Sequence, residues 1–321
     1  MNIRDRVAVN LHPRTWADRA VELAWRSFSS PAAVTRHTWP LHTDLVRQTS
    51  IRWPRHIDSN CRAMIGKQVL DAMGQHVRST IIDLPQPYER VINFELVIAD
   101  RTFRVMVETS DYPELNESAY ADADLHFKME YRKTGYGDRD RLLPGGYVPN
   151  DPSLYAYLPH LRALRDGTPP RYEVSGRYGL SMEKRRKPLA LLHASKRFEF
   201  YGGEGKVRYS RYLRETARSR VCIDLPSMSS ITFRMIDYLA IGSCIVGPPH
   251  TNQMQAPFEN GVHVAYCQPD YSDLEDVCAY YLEHEDERRA LISNSRAFFD
   301  TYLHRDQLGR YYLHHCFERL A

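Results

Sequence analysis

The pattern of hydrophobic and polar positions differs between the two halves of the chain. In the first half, apolar residues recur at helical spacing over Thr15–Phe28 and Cys61–Gly74. Short apolar runs typical of strands lie at Val7–Asn10, Thr80–Leu84, Val91–Ile98, Phe103–Val107 and Asp124–Tyr131. The residues Ala99–Arg101 between two of these runs form either a hairpin turn or a loop. This half therefore contains both helices and strands.

The second half alternates strands with helices. The predicted strands are Tyr172–Arg177, Phe198–Gly203, Arg220–Pro226, Ser243–Val246 and Gly261–Tyr266. The predicted helices are Ser181–Ala194, Ser210–Arg218, Tyr271–Glu283, Asp286–Tyr302 and Arg310–Leu320. Pro188 is expected to interrupt the first of them, because proline breaks a helix interior. Alternation at this spacing predicts a parallel, doubly wound α/β sheet.

Two clusters of proline and glycine lie between the halves, at Pro144–Pro152 and Gly167–Pro170. We therefore predict an N-terminal domain over residues 1–150, a linker over residues 151–170 with a helix at Tyr155–Arg165, and a C-terminal domain from residue 171 to about residue 300.

The segment from Arg220 to Val246 carries the clearest chemistry. A strand leads into a small polar loop, then a helix that stops at Gly242, then another strand. The first N–H groups of a helix have no intrahelical acceptor and readily bind phosphate. Ser229, Ser230 and Thr232 in the loop are therefore candidates for phosphate binding, although the same geometry also serves as a simple helix cap.

Arg234 lies in the first turn of that helix and Asp237 one turn later, so the two side chains project from one face. Arg234 would hold a diphosphate, and Asp237 would accept hydrogen bonds from ribose hydroxyls. The alternative is a salt bridge between the two residues.

The run Phe233-Arg234-x-x-Asp237-Tyr238-Leu239-Ala240-x-Gly242, followed by Cys244-Ile245-Val246, resembles the donor-binding signature R-x-x-E-x-x-A-x-G-x-x-x-V of GT-B glycosyltransferases. Asp237 stands where that family usually has glutamate. The helices from Ser272 to Ala297 are similar to the family's C-terminal pattern. The resemblance extends from Tyr172 to the C-terminus and includes glycosyltransferase family 1-like, family 4-like and exostosin-like domains.

This resemblance implies an α/β fold of two Rossmann-like domains in a GT-B arrangement, with the active site in an interdomain cleft. The C-terminal domain would bind a nucleotide-diphosphate sugar, and the N-terminal domain a glycan or small-molecule acceptor. Residues 301–321 would form a helix that packs back on the N-terminal domain. The expected reaction is glycosyl (hexosyl or pentosyl) transfer to an acceptor hydroxyl. A helix terminus and arginines can neutralise the leaving diphosphate, so we expect no metal and no cofactor besides the donor.

Three further donor-side residues follow from the resemblance. Gly176 and Arg177, at the end of the strand that opens the second half, would face the phosphates, or Arg177 is a solvated surface residue. Arg185 would reach the donor, or it belongs to a solvated charged helix face.

An inverting transfer needs a general base. Asp111, in the loop after Phe103–Val107, is the first candidate, and Glu108 is adjacent to it; His12, after Val7–Asn10, is the other. Each also has a simpler interpretation as a turn residue or strand-end cap. The D-x-D triplets at Asp122 and Asp138, a spacing that metal-dependent GT-A enzymes use, are interpreted as turn or capping residues.

Composition narrows the remaining possibilities. Hydrophobic residues make up 43% and charged residues 26% of the chain, and the net charge is only +3. These values are typical of a soluble globular protein without a general attraction to nucleic acid. The local basic span Arg208–Arg220 and the segment His37–His56 nevertheless favour one rival function, a phage-type DNA glycosyltransferase that acts on a hydroxylated base. A non-catalytic sugar-nucleotide or protein-binding module is the second rival.

The six cysteines show no paired spacing, which favours buried free thiols. The first residues lack the apolar region of a signal peptide, and no run approaches the ~20 apolar residues of a membrane span. We therefore predict a cytoplasmic location without a membrane span.

Overall fold

The computed structural model describes residues 13–28, 37–57, 61–179, 183–205 and 207–321. The helices are α1 (Pro13–Phe28), α2 (Thr43–Arg47), α3 (Cys61–Met73), α4 (Glu117–Asp122), α5 (Ser153–Gly167), α6 (Arg186–Ala194), α7 (Tyr209–Ala217), α8 (Phe233–Ile241), α9 (Leu274–Glu283), α10 (Glu285–Phe298) and α11 (Arg305–Leu320). A 3-10 turn, Glu183–Arg185, precedes α6, and a π-helical turn, Phe299–Leu303, follows α10.

The strands are β1 (Thr49–Pro54), β2 (Arg78–Ile82), β3 (Val91–Ile98), β4 (Arg101–Glu108), β5 (Leu125–Lys128), β6 (Tyr131–Arg132), β7 (Leu142–Pro144), β8 (Tyr172–Tyr178), β9 (Phe200–Glu204), β10 (Ser219–Ile223), β11 (Cys244–Gly247), β12 (Asn252–Gln253) and β13 (Ala265–Tyr266). They form two large sheets and one small one, so the predicted α/β class is confirmed. The predicted strand at Val7–Asn10 lies outside the described residues.

The first sheet has the order β2-β1-β3-β4-β5-β7 and is mixed rather than fully parallel. Strand β3 pairs antiparallel with both β1 and β4, whereas β1 with β2, β4 with β5, and β5 with β7 are parallel. A tight turn at Ala99 and Asp100 joins β3 to β4, and both residues have positive φ, 45° and 68°. Such turns match the natural twist of a hairpin, so the hairpin alternative for Ala99–Arg101 is the correct one.

The second sheet is fully parallel, with the order β13-β11-β10-β8-β9, as the alternating pattern predicted. Its central strands β10 and β11 are almost completely buried. The prediction for Gly261–Tyr266 was too long: the strand is only Ala265–Tyr266, because Gly261 adopts a left-handed turn with φ of 73°. Pro188 does not interrupt α6, since it lies in the first turn, where its missing N–H is not needed.

Each sheet has its own apolar core. Helices α3 and α11 cover the first sheet, and Leu70, Phe94, Leu308 and Tyr312 belong to one buried cluster there. A Cβ atom on Gly309 of α11 would lie 2.3 Å from the Ala72 carbonyl oxygen, so only glycine allows these two helices to approach so closely. The C-terminal helix thus packs on the first sheet.

The segment 151–170, predicted as a linker, is mostly helix α5. Leu154, Tyr157, Leu158 and Leu161 of this helix are buried with residues of α7 and α8, in a core beside the second sheet. The small two-stranded sheet pairs β6, which follows the first sheet's β5, with β12, which lies between β11 and β13. This pairing connects the two halves of the chain.

The described cysteine side chains fit the expectation of buried thiols: Cys222, Cys244, Cys267, Cys278 and Cys316 are all buried and free. Of the helices in the described residues, none combines the length and the apolar character needed to cross a membrane.

Candidate active site

A pocket of about 490 Å³ lies where the strands β8, β9 and β10 end. Residues from these carboxyl ends line it, together with Asp111 and Asn150 from the first half of the chain. We call it the carboxyl-edge pocket. The predicted site residues that line it are Asp111, Arg177, Arg185, Ser229, Thr232, Arg234 and Asp237. The carboxyl edge of a parallel sheet is the usual place for a ligand site in open α/β proteins.

The start of α8 forms one wall of the pocket. Thr232 is the N-cap: its side-chain oxygen accepts the N–H of Met235 at 3.3 Å and donates to Asp224 Oδ1 at 2.5 Å. Within the described part of the chain, the backbone N–H groups of Phe233 and Arg234 donate to no acceptor. Both residues line the pocket. The helix tip therefore presents two unsatisfied donors beside a concave space, a geometry suited to an anion.

Arg234 lies beside this tip with 18% of its side chain exposed. Its Nη2 donates to the Leu225 carbonyl at 2.9 Å, and its guanidinium lies 4.9 Å from the ring centroid of Tyr178. Its Nε is buried without a hydrogen-bond acceptor and lies 3.7 Å from Asp224 Oδ1. The ionic partner of Arg234 is therefore Asp224 and not Asp237, so the alternative of a salt bridge along the helix was wrong.

Asp224 follows β10 and is 1% exposed. Burial on its own raises the pKa of this carboxyl, but the His250 imidazole, whose Nε2 lies 4.0 Å from Oδ2, the charge of Arg234 and the hydrogen bond from Thr232 lower it overall. Burial likewise works against the charge of Arg234, but Asp224 raises the Arg234 pKa above its ordinary value. The pair is thus ionised, and Asp224 holds Arg234 at the pocket wall.

Asp237 is 1% exposed and accepts a hydrogen bond from the Tyr209 hydroxyl at 2.6 Å. Burial raises the pKa of Asp237 to about 8, against the opposing effects of that hydrogen bond and of Arg234. The side chain is therefore mostly protonated at neutral pH and can exchange hydrogen bonds with a hydroxyl group in the pocket.

Arg177 and Arg185 are held by neighbours at the pocket wall. The guanidinium of Arg177 donates to both carboxylate oxygens of Glu215, at 2.6 and 3.0 Å, and to the Tyr201 hydroxyl at 3.2 Å. Arg185 is 5% exposed and donates to three backbone carbonyls, those of Pro226, Gly179 and Leu225. Neither belongs to a freely solvated face. Arg185 braces the loops that follow β8 and β10.

Three other predicted donor-side residues have different surroundings. Gly176 does not line the pocket: a Cβ atom there would lie 2.1 Å from the Tyr178 hydroxyl, so glycine at this position serves packing. Ser229 lines the pocket, and its hydroxyl oxygen lies 3.1 Å from that of Ser227. Ser230 does not line the pocket, and its N–H donates at 2.9 Å to the carboxylate of Glu130, in the first half of the chain.

Glu130 is a buried carboxylate next to the Ser229–Thr232 loop that sequence reasoning did not single out. Its carboxylate accepts hydrogen bonds from Ser230 N, Asn252 Nδ2 and the Tyr147 hydroxyl. Its backbone is left-handed, with φ of 58°, between β5 and β6. Burial raises the pKa of Glu130 to about 7 even though these donors and Lys128 oppose the shift. No local motif marks Glu130, since its partners are distant in the sequence.

The candidate bases fall in three different places. Asp111 lines the pocket. Glu108 is buried away from it and pairs with Lys128 Nζ at 2.8 Å and His126 Nε2 at 3.1 Å. Burial raises the pKa of Glu108, but these two partners lower it below its ordinary value. His12 lies outside the described residues.

The D-x-D triplet at Asp122 has local partners: Asp122 accepts the Tyr88 hydroxyl and Asp124 accepts the Arg104 N–H. Within the described residues, no three histidine, cysteine or acidic side chains are grouped to hold a metal ion.

A protein-family model described as glycosyl transferase-like matches residues 184–308. This range contains Arg185 and the whole segment from Ser229 to Gly242, but neither Arg177 nor the first half of the chain. No curated protein matches the sequence significantly. The match supports a GT-B-like glycosyltransferase domain over residues 184–308, and with it a general glycosyl-transfer function for that domain.

Proposed function

We propose that this protein transfers a glycosyl group from a nucleotide-diphosphate sugar, bound in the carboxyl-edge pocket, to the hydroxyl of a glycan or small molecule. One observation carries the proposal. Among the described residues, the N–H groups of Phe233 and Arg234 and the Nε of Arg234 have no acceptor. All three lie together in the segment that the family model matches. Oriented donors of this kind stabilise charge that develops on a leaving diphosphate.

The roles of the other residues follow from their positions. The N–H groups of Phe233 and Arg234 would bind one phosphate, and the guanidinium of Arg234 the other. Asp237 would bind a ribose hydroxyl at the floor of the pocket. Asp111, which lines the pocket from the first half of the chain, would accept the proton of the attacking hydroxyl. The C–O bond to the diphosphate breaks as the acceptor oxygen bonds to the sugar carbon.

The DNA-modifying alternative has less support. Three of the five arginines in the basic span that motivated it are paired: Arg208 with Glu22, Arg211 with Glu215 and Arg214 with Asp18. Arginines that are neutralised within the protein add little attraction for a nucleic-acid backbone.

A donor panel tests the proposal. Purified protein is incubated with labelled UDP-, GDP-, ADP- and CDP-sugars, and donor hydrolysis or transfer is measured for wild type, Arg234→Gln and Arg197→Gln. Arg197 is a control, because it is an exposed arginine of the same half paired with Asp276. We expect Arg234→Gln to lose about 10- to 100-fold in kcat/KM, since a charge-assisted hydrogen bond contributes ~1.5–3 kcal/mol.

The expected metal independence is tested in the same assay, where EDTA should leave the rate unchanged. Turnover that disappears in EDTA and returns with a divalent cation would contradict the metal-independent reaction. Absence of turnover with every donor, in protein that binds nucleoside diphosphates, would instead support the non-catalytic binding module.

A further inference from the structure

A second pocket, of about 550 Å³, lies at the opposite edge of the second sheet. Arg171 and Tyr172 line it at the start of β8, and Arg218 lines it immediately before β10. The remaining lining residues come from α1, α5, β9 and α7: Ala17, Asp18, Leu164, Tyr201, Arg211, Arg214 and Glu215. We call this the amino-edge pocket. Because the sheet is parallel, its amino edge faces away from the carboxyl-edge pocket, so the two pockets are separate.

The amino-edge pocket carries an excess of positive charge. Four arginines line it, but only two carboxylates, Asp18 and Glu215. Asp18 pairs with Arg214. Glu215 is bound in bidentate fashion by Arg177, which lies outside this pocket, and is 3.4 Å from Arg211. Both carboxylates that line the pocket are therefore already paired with arginines.

Two arginines remain. Among the residues that the structure describes, neither Arg171 nor Arg218 has an acidic partner, and the Nε of Arg218 is buried without any hydrogen-bond acceptor. The carbonyl of Arg218 accepts the N–H groups of Arg171 at 2.8 Å and Tyr172 at 3.1 Å, which fixes the two arginines side by side. A buried donor without a partner destabilises the fold, and a bound oxyanion would remove that cost.

The aromatic wall of the pocket restricts what else the ligand can be. Tyr172 and Tyr201 are stacked, with ring centroids 4.0 Å apart and 13° between the planes. Arg171 lies over the Tyr172 ring at 5.5 Å, and Arg177 lies over the Tyr201 ring at 5.2 Å. Each ring thus has another ring and a guanidinium close to it, so a nucleobase could stack there only by displacing one of them.

We propose that the amino-edge pocket is a binding site for a phosphate monoester of a small polar molecule, with the phosphate on Arg171 and Arg218. The phosphate would be a dianion at neutral pH and would accept charge-assisted hydrogen bonds from both guanidinium groups. The pocket is larger than a phosphate group and falls within the usual 300–1,000 Å³ of small-molecule sites, so it has room for the organic part of the ester.

The test measures binding of inorganic phosphate and of ribose 5-phosphate by titration calorimetry at pH 7.5 and constant ionic strength, with ribose as the unphosphorylated control. The proteins are wild type, the double variant Arg171→Gln/Arg218→Gln, Arg234→Gln and the control Arg197→Gln. We expect the double variant to bind ribose 5-phosphate about 100-fold more weakly, which corresponds to about 2.8 kcal/mol at 1.4 kcal/mol per tenfold. Arg234→Gln and Arg197→Gln should retain this binding.

Comparing inorganic phosphate with ribose 5-phosphate shows how much of the affinity comes from the phosphate and how much from the organic part of the ester. Inorganic phosphate should bind through the same arginines, and ribose 5-phosphate more tightly if the rest of the pocket contributes. If the double variant does not fold, Arg171→Gln alone, at an exposed position, should still weaken binding about tenfold. Unchanged binding in the arginine variants, or ribose binding as tight as ribose 5-phosphate binding, would overturn the site. Loss of all phosphate binding in Arg234→Gln alone would also overturn it while leaving the proposed transferase function intact.

Discussion

Arg177 and Glu215 form a bidentate ion pair between the two pockets: Arg177 lines the carboxyl-edge pocket and Glu215 lines the amino-edge pocket. With 18% and 10% of their side chains exposed, they are largely shielded from solvent. Glu215 thus neutralises cations on both sides, and each pocket is less positive than its arginines alone would make it.

Glu215→Gln should therefore strengthen anion binding while destabilising the fold. The carboxamide keeps the size of the side chain but removes the negative charge that Arg177 and Arg211 share. We expect inorganic phosphate to bind several-fold more tightly, and the free energy of unfolding to fall by about 3 kcal/mol, because breaking a largely buried pair leaves a charge without its partner. Calorimetry and urea unfolding measure the two effects. Weaker phosphate binding in a folded variant would contradict this account.

The burial of the Glu130 carboxyl predicts a pH dependence of stability. The pKa of Glu130 rises from 4.5 in the unfolded chain to about 7 in the fold, because of burial. Between these values the folded state holds a proton that the unfolded state has lost, so stability falls as the pH rises. Glu130→Gln cannot ionise, so it should be more stable than wild type by about 3 kcal/mol at pH 8 and by much less at pH 5.

Urea unfolding of wild type and Glu130→Gln at both pH values measures this difference. Asp124→Asn is a suitable control, since Asp124 also accepts a backbone N–H but is exposed. An equal stability difference between wild type and Glu130→Gln at pH 5 and pH 8 would show that Glu130 does not titrate in this window.

Asp237→Asn should stabilise the protein and weaken its binding of nucleotides. Burial raises the pKa of Asp237 from 3.8 to about 8, so ionisation destabilises the fold progressively over that range, with the same sign as for Glu130. Asparagine still accepts the Tyr209 hydroxyl but carries no charge. The melting temperature of Asp237→Asn should exceed that of wild type by the largest amount at pH 8 and above. Nucleoside diphosphate affinity should fall if Asp237 binds the ribose, and unchanged affinity would remove that role.

Thr232→Val tests the helix tip. Valine has nearly the same shape but neither caps Met235 N nor donates to the buried Asp224. We expect a loss of about 1–3 kcal/mol in unfolding free energy, with weaker binding of nucleoside diphosphates because the tip loses its fixed geometry. Thr232→Ser keeps the hydroxyl and is the matched control. A serine variant as destabilised as the valine variant would show that the hydroxyl alone does not account for the effect.

Asp111→Asn and Glu108→Gln distinguish the two described base candidates. Asp111 lines the pocket, so its asparagine variant should lose kcat. Glu108 pairs with Lys128 and His126, and its pKa is lowered, so its charge contributes stability that is lost as the pH falls. Glu108→Gln should lose about 3–5 kcal/mol of stability but retain kcat in the folded fraction. The reverse pattern would make Glu108 the base.

Much of the second half could be predicted because its structure depends on local patterns. Apolar runs separated by helical periodicity define a parallel sheet, and the small polar loop before Phe233 marks a helix tip whatever surrounds it. The short strand β13 was harder to predict, since the turn at Gly261 interrupts an apolar run that otherwise continues. The antiparallel pairing of β3 was left undecided, because a two-residue turn and a longer loop have similar composition.

From the sequence alone we could locate a helix N-terminus with an arginine in its first turn, because both are local features of Thr232–Asp237. The residues that surround this helix tip became known only from the three-dimensional packing. It placed Asp224 rather than Asp237 beside Arg234, brought Glu130 onto Ser230 from 100 residues away, and gathered Arg171 and Arg218 into a second pocket. Such pairings depend on how distant segments pack, and no spacing along the chain encodes them.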